Sequence, residues 1–335
     1  MAQAFLTANS YLGLSKEATR GTVGSTAVWI PVMTPQVTPK QKFLRDEALR
    51  GSPVMVYDQV AATRADDVEF KSYVYADSIG VLLQALLGSD TSTTSGSNYS
   101  HALKLLNAAS SGSQPASYTL MDFDGANSFT INGAQADSMT FSFGAEVAAE
   151  ATTKFIGNPY TSATTPATPF TSYSNTTLHP IPAWDTTVTI GGTAFTNVSS
   201  GEIKIERKTQ SIFTMNGTQA PYVNFAGPLE VSGKMTLVVA TTTDPFSTGS
   251  SGYGLTRDPL ATVITLVDPN SPAGAYQVGF TMTQTQYQNV KRTRGKEYVE
   301  LEVEFTANAN ATDGGSASTY SPIAATVVNG TSAAY

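Results

Sequence analysis

The stretch DDVEFKSYVYADSIGVLLQALLG, residues 66–88, constrains the fold more than any other, because its periodicity changes halfway. Up to Tyr75 the residues alternate. Val68, Phe70, Ser72 and Val74 fall on one face, and Glu69, Lys71, Tyr73 and Tyr75 on the other, which is the signature of a half-buried strand. From Asp77 the spacing is helical, with Ile79, Leu82, Leu83, Leu86 and Leu87 on one stripe. Asp77 or Ser78 can accept an orphan N–H at the helix start, and Gly88 can end the helix in the left-handed region. The stretch predicts a strand running directly into an amphipathic helix that covers the side of a sheet.

Composition agrees with a mainly β chain. Only 13% of residues are charged, while Ser, Thr, Ala, Gly and Val are abundant, a profile of short strands and turns. A length of 335 residues is enough for two domains of ordinary size. The formal net charge of −7 argues against a general nucleic-acid binder, and the one dense basic run, KRTRGK at 291–296, is followed at once by acidic residues. The absence of cysteine rules out disulfides and thiolate metal sites. The first residues lack the basic and apolar regions of a signal peptide, so synthesis in a cytosol is expected. No apolar run approaches the ~20 residues of a membrane-spanning helix, and no membrane partner is expected.

Residues 158–182, NPYTSATTPATPFTSYSNTTLHPIP, hold five prolines and no periodicity, which reads as a linker or arm. The expected organisation is a first domain over 1–157, this linker over 158–182, a second domain over 183–311 and a Ser/Ala/Thr-rich C-terminal arm over 312–335, unstructured until it clips a neighbour. The halves look alike. Matching VEFKSYVYAD to VSGKMTLVVA sets Val68 on Val231, and matching YTLMDF to ITLVDP sets Thr119 on Thr265. Ahead of each first match lies a turn-rich loop, RDEALRGSPVMVYDQVAATR in one half and FTMNGTQAPYVNFAGP in the other. The strand-then-helix unit recurs in reduced form, with only DPFSTGSSGYG after the second strand.

Few residues suggest chemistry. DFDGAN at 122–127 resembles half of a calcium loop but lacks the acidic twelfth ligand, and Asp-Gly between alternating runs reads as a hairpin. His101 and His179 have no nucleophile or metal partners in the sequence pattern, and no cofactor motif is present. In YVELEVEFT, Val299, Leu301, Val303 and Phe305 form an apolar face, with Glu300, Glu302 and Glu304 on the other. That face is either an exposed sheet surface or an acidic lining that keeps a polyanion from sticking. KRTRGK is either the polar hairpin before this strand or a partner for the acidic loop at Arg45–Glu47 in a neighbouring subunit. Trp29 in WIPV and Trp184 in PAWD read as structural anchors near the two domain starts.

Taken in order, YLGLSKEATRGTVGSTAVWIPV (11–32), FLRDEALRGSP, the strand–helix stretch and KIERKTQSIFTMNGTQAPYVNFAGPLEVSGKMTL resemble the major tail tube proteins of long-tailed bacteriophages. The likeness runs from about Tyr11 to Asn310. It implies a mainly β fold of two tandem tail-tube β-barrel or β-sandwich domains, each with a flanking helix or helix remnant. It also implies rings that stack into a tube through which the genome passes. The expected partners are further copies of the chain, the tape-measure protein inside the channel, the tail terminator and distal tail proteins at the ends, and DNA passing without specific binding. The expected location is the virion tail, after assembly in the host cytoplasm. No catalytic residue or cofactor is implied.

Glu300, Glu302 and Glu304 are then candidates for the channel lining. Arg45, Asp46, Glu47, Arg50, Tyr57, Tyr222, Lys291, Arg292 and Arg294 are candidates for contacts between rings or subunits. Two tube domains per chain give a trimeric ring with pseudo-sixfold symmetry, whereas one lining domain per chain gives a hexamer. A different reading is a two-domain decoration or adhesion protein that binds a host glycan. An enzyme such as a glycosidase would need a carboxylate pair in a cleft, which the sequence does not place.

Overall fold

The computed structural model describes residues 6–24, 26–108, 112–170, 173, 179–239, 259–271, 276–295, 297–316 and 318–335. Along the first half run β1 (Tyr11–Lys16), β2 (Val28–Ile30), β3 (Gln36–Asp46), β4 (Asp58–Tyr73), helix α1 (Ala76–Leu87), β5 (Gly88–Ser95), β6 (Asn98–Leu105), β7 (Tyr118–Phe123), β8 (Ser128–Gly144) and β9 (Glu150–Gly157). The proline-rich stretch contributes β10 (Thr161–Ala163). The second half holds β11 (Thr186–Ile190), β12 (Thr193–Phe195), β13 (Val198–Glu206), β14 (Gln210–Ile212), β15 (Val223–Phe225), β16 (Glu230–Val238), β17 (Leu260–Val267), β18 (Gln277–Thr293) and β19 (Glu300–Ala307). A four-residue helix α2 (Ala311–Gly314) and β20 (Ala324–Asn329) follow. The chain is mainly β, as its alternating sequence predicts.

Each half repeats one antiparallel pairing scheme. In the first, β3, β4, β9 and the later part of β8 form one layer, and the start of β8 continues into β7, β1 and β2. In the second, β13, β16, β19 and the later part of β18 form the layer, and the start of β18 continues into β17, β11 and β12. β8 and β18 are each 17 residues long, and both carry register shifts where the strand passes from one layer to the next. An extra residue in one strand bends it and raises its local twist, which lets one strand serve two layers. Apolar residues of both layers, Phe70, Phe141, Phe155, Phe280 and Phe305 among them, form a single core through both halves.

The pairings correct the sequence matching. β9 (EATTKFIG) and β19 (ELEVEFTA) occupy equivalent places, Glu150 with Glu300 and Phe155 with Phe305. Phe155 faces Val68 and Phe305 faces Gly233, so Gly233 stands where Val68 does, two residues from Val231. In the same frame Thr262 takes the place of Leu120, four residues from the position given by pairing Thr119 with Thr265. Both errors are even. Alternation fixes which face a residue occupies, but a match shifted by two keeps every face and is equally consistent with the pattern.

The halves do not merely sit side by side. Ser200–Glu206 of β13 pairs with Ser138–Gly144 of β8, so their layers fuse into one sheet ordered β3, β4, β9, β8, β13, β16, β19, β18. Helix α1 is also not the one-sided amphipathic helix its stripe predicts, since all twelve of its residues are buried. The β5–β6 hairpin, β20 and the ring of Tyr335 cover its second face, and a Cβ on Gly80 would fall 2.0 Å from the Tyr335 ring. Its polar residues are spent inside: Gln84 Oε1 accepts from Tyr118 Oη at 2.9 Å and from Lys16 Nζ at 3.3 Å. Gly88 closes the helix at φ 91°, while Tyr75 occupies the N-cap without a side-chain bond, so neither Asp77 nor Ser78 caps it.

The C-terminal segment, expected to be unstructured, is built into the chain's own sheet. β20 pairs with β18 on one side and β6 on the other, linking the halves a second time. Part of the proline-rich stretch is likewise structured, since β10 pairs with β8 and Phe170 stacks on Tyr11 with centroids 4.7 Å apart. The reduced helix expected after the second strand, around 244–254, lies outside the described residues.

Candidate assembly surfaces

The face of the fused sheet opposite the core is polar and crosses both halves without a break. One cross-strand row reads Tyr73, Glu150, Ser142, Glu202, Lys234, Glu304 and Gln288 on seven successive strands. Its neighbour reads Lys71, Thr152, Thr140, Lys204, Ser232, Thr306 and Gln286. Side chains directly opposite on neighbouring strands share a face, so each row is one line of surface running from β4 to β18.

Glu300, Glu302 and Glu304 lie on this polar face, while Leu301, Val303 and Phe305 are buried beneath them. Their charge is partly balanced across the ladder. Lys234 stands opposite Glu304 and bridges Glu202 at 3.2 Å, and Lys291 stands opposite Glu302. Further along, Lys71 bridges Glu150 at 2.6 Å, and Lys154 reaches Asp67 and Asp137 at 3.3 and 3.2 Å. Exposed pairs of this kind add little stability. What they do is leave a wet surface of mixed charge with an excess of carboxylates.

The first turn-rich loop is mostly strand. β3 and β4 pair out to Asp46 and Asp58, so only residues 47–57 form the tip. Arg45 lies in β3 opposite Gln59, and Glu47 begins the tip. The tip folds on itself: Arg50 pairs with Asp46 and lies 4.9 Å over the Tyr57 ring, and Tyr57 N–H donates to the Asp46 carbonyl. Phe43, Leu44, Leu49, Val54, Met55 and Val60 are all exposed on this hairpin.

The second loop carries the equivalent hairpin, β14–β15, but it is occupied. Thr209 donates to the Asp137 side chain and the Ala136 carbonyl at 2.8 Å each, and Asn224 Nδ2 donates to the Gly133 carbonyl at 2.9 Å. Arg207 is buried with its Nε donating to the Leu86 carbonyl at the end of α1 at 2.8 Å, and burial lowers its pKa to about 10. The loop at 215–228, expected to be free to reach a next ring, is therefore largely bound to the chain's own first half. Residues 215–219, with Tyr222 and Phe225, are nonetheless exposed. Lys291 and Arg292 lie near the end of β18 and Arg294 just past it, so residues 291–295 lead into the polar connection to β19.

Other singled-out residues are structural or isolated. Asp122 and Asp124 form the β7–β8 turn, in which Asp124 Oδ1 accepts from Ala126 and Asn127 N–H with Gly125 at φ 95°. Asp122 is buried with one carboxylate oxygen unpartnered, and burial together with Asp124 raises its pKa to about 6. His101 is buried against Asp90 at 3.0 Å and the Thr331 carbonyl at 2.9 Å, under the Tyr335 ring. Among the described residues no group of His, Cys, Asp or Glu could hold a metal ion. Trp29 is 2% exposed and anchors the core, whereas Trp184 is 64% exposed.

No curated protein matches the chain. A family model described as phage tail tube protein matches residues 7–307, from ahead of β1 to the end of β19. The chain belongs to the phage tail tube protein family.

Proposed function

We propose that this protein is a two-domain tube subunit, three copies of which close a ring of six similar units around a channel that conducts DNA. Family membership makes it a structural protein of the virion tail that assembles with itself into the stacked rings of a tube. The observation that carries the finer reading is the fused sheet: eight strands in one chain, with polar rows running unbroken across the joint between the halves. Each strand adds about 4.8 Å, so three chains close a barrel of about 24 strands, at least about 37 Å across between backbones. Six chains with the same eight strands would double that circumference.

In this reading the polar face lines the channel, and Glu300, Glu302 and Glu304 keep phosphates from settling on the wall. Binding to DNA requires cations that neutralise phosphates, and an excess of carboxylates opposes it. Tape-measure protein fills the channel during assembly in the host cytoplasm, and terminator and distal proteins meet the tube ends. The test is a phage whose tube carries Glu300→Lys, Glu302→Lys and Glu304→Lys, with the melting temperature of the purified variant checked against wild type. Tubes should form while DNA ejection slows several-fold. Ejection at the wild-type rate from intact variant tubes would take these residues off the channel wall.

A further inference from the structure

Asn-Gly occurs three times in the chain, at Asn132-Gly133, Asn216-Gly217 and Asn329-Gly330. A glycine has no Cβ, so its backbone nitrogen is unshielded against the amide carbon of an asparagine side chain just before it. Ring closure between the two needs three freedoms. The backbone must turn, the glycine N–H must give up its proton, and the side-chain amide must leave.

The fold withholds these freedoms at two of the pairs. Asn132 lies in β8, where its Nδ2 donates to the Gly21 carbonyl at 2.9 Å and the Gly133 N–H donates to Glu17 Oε1 at 2.8 Å. Asn329 is fully buried at the end of β20, opposite Tyr99 of β6. Its Nδ2 donates to the Ala76 carbonyl at 2.9 Å, and its Oδ1 accepts from Thr331 N–H at 2.9 Å. In both pairs the departing amide is bound and a paired strand fixes the backbone.

Asn216 and Gly217 lie instead in the exposed loop between β14 and β15. Gly217 takes φ 77°, a Cβ on it would meet nothing within 4 Å, and its N–H has no partner among the described residues. Asn216 Oδ1 accepts from Thr218 N–H at 3.2 Å and from Thr218 Oγ1 at 3.0 Å. That oxygen gains negative charge when the Gly217 nitrogen attacks, so the two donors act on it as an oxyanion hole does.

We propose that Asn216 is a site of spontaneous deamidation in the folded protein, with Thr218 lowering the barrier. The Gly217 nitrogen gives its proton to solvent and bonds to Asn216 Cγ. The Cγ–Nδ2 bond breaks, and Nδ2 takes up a proton and leaves as ammonia. A five-membered succinimide remains. Water then adds to one of its two carbonyl carbons, and the ring nitrogen leaves that carbon. Opening at Cγ gives aspartate at 216, and opening at the main-chain carbon routes the chain through Cγ as isoaspartate. One water enters, one ammonia leaves and no electrons are exchanged. Each event adds a negative charge at the loop tip to a formal net charge of −7, and the isoaspartate product lengthens the backbone there.

The full-length protein is held at mildly alkaline pH, either folded in buffer or unfolded in denaturant. Each Asn-Gly pair is followed by mass spectrometry of its proteolytic peptide. In the unfolded chain the three pairs should react at similar rates. In the folded protein Asn216 should react at least about tenfold faster than Asn132 or Asn329, which react only when the fold opens locally. Thr218→Val, which keeps the N–H and removes the hydroxyl, should slow the reaction several-fold at an unchanged melting temperature. The site is overturned if Asn216 in the folded protein reacts no faster than the other two, or stays intact while the unfolded chain reacts. A Thr218→Val rate equal to wild type overturns the part assigned to Thr218.

Discussion

Gly13 and Glu17 show what the N-terminal YLGLSKEATRG run is for. Gly13 sits opposite Trp29 in the β1–β2 pair, and a Cβ there would fall 2.6 Å from the indole ring. Gly13→Val should destabilise the fold by about 1–3 kcal/mol through forced displacement of Trp29, read as a lower denaturation midpoint. An unchanged midpoint would mean the indole has another place to go. Glu17 is buried and accepts four hydrogen bonds, from Gly21 N–H, Ser117 Oγ, Thr119 Oγ1 and Gly133 N–H, at 2.6–2.8 Å. The Lys-Glu pair is visible in the sequence, but this hub is not, because three of its donors lie about a hundred residues away in chain order. Asp122 makes the opposite contribution. Its pKa, raised from 3.8 to about 6, means the folded state holds a proton more tightly than the unfolded chain does. The stability it contributes is present below about pH 4 and is lost as pH rises to about 6. Asp122→Asn should remove that loss and raise stability at pH 7.5 by about 1 kcal/mol, with little change at pH 4.5. Thermal melts at the two pH values test this, and a variant less stable at pH 7.5 would show that the carboxylate is needed ionised.

At the scale of elements, the strand-to-helix stretch was legible, and so was the β7–β8 hairpin. Period and turn chemistry are local, and both elements form where those signals stand. Three things were hidden, each for a physical reason. A stripe of leucines defines one buried face of α1 but says nothing of a second, which here is filled by Tyr335 and β20, far along the chain. The repeat between halves shows in the sequence, but its register falls two and four residues off, since alternation is indifferent to even shifts. PAWD resembles WIPV in carrying a tryptophan, yet only Trp29 has an opposing glycine to pack on. The β3–β4 hairpin gives the sharpest test at this scale. Among the described residues its tip makes only local bonds, so replacing residues 47–57 with Asn-Gly, a favoured two-residue turn, should cost the monomer less than about 0.5 kcal/mol. Rings should still form but fail to stack into tubes, as sedimentation and electron microscopy would show. Tubes of normal length from this variant would free the hairpin tip from any role between rings.

For the whole molecule, the decisive fact is that the two halves share one sheet, one core and one polar face. A family of structural tube proteins supplies the setting, and this chain supplies two repeats of one pairing scheme already joined edge to edge. None of that joining could be read from the sequence, because strand pairing between Ser200–Glu206 and Ser138–Gly144 depends on neither periodicity nor motif. A glycan-binding decoration protein would have no use for a polar face that runs unbroken across both halves, whereas a channel wall does. The measurement that tests this most directly is electron microscopy of tubes assembled from the purified protein, with end-on views averaged without imposed symmetry. The account predicts threefold symmetry with six similar lobes and three chains per ring. True sixfold symmetry with six chains per ring would contradict it, because then only one half of each chain could line the channel.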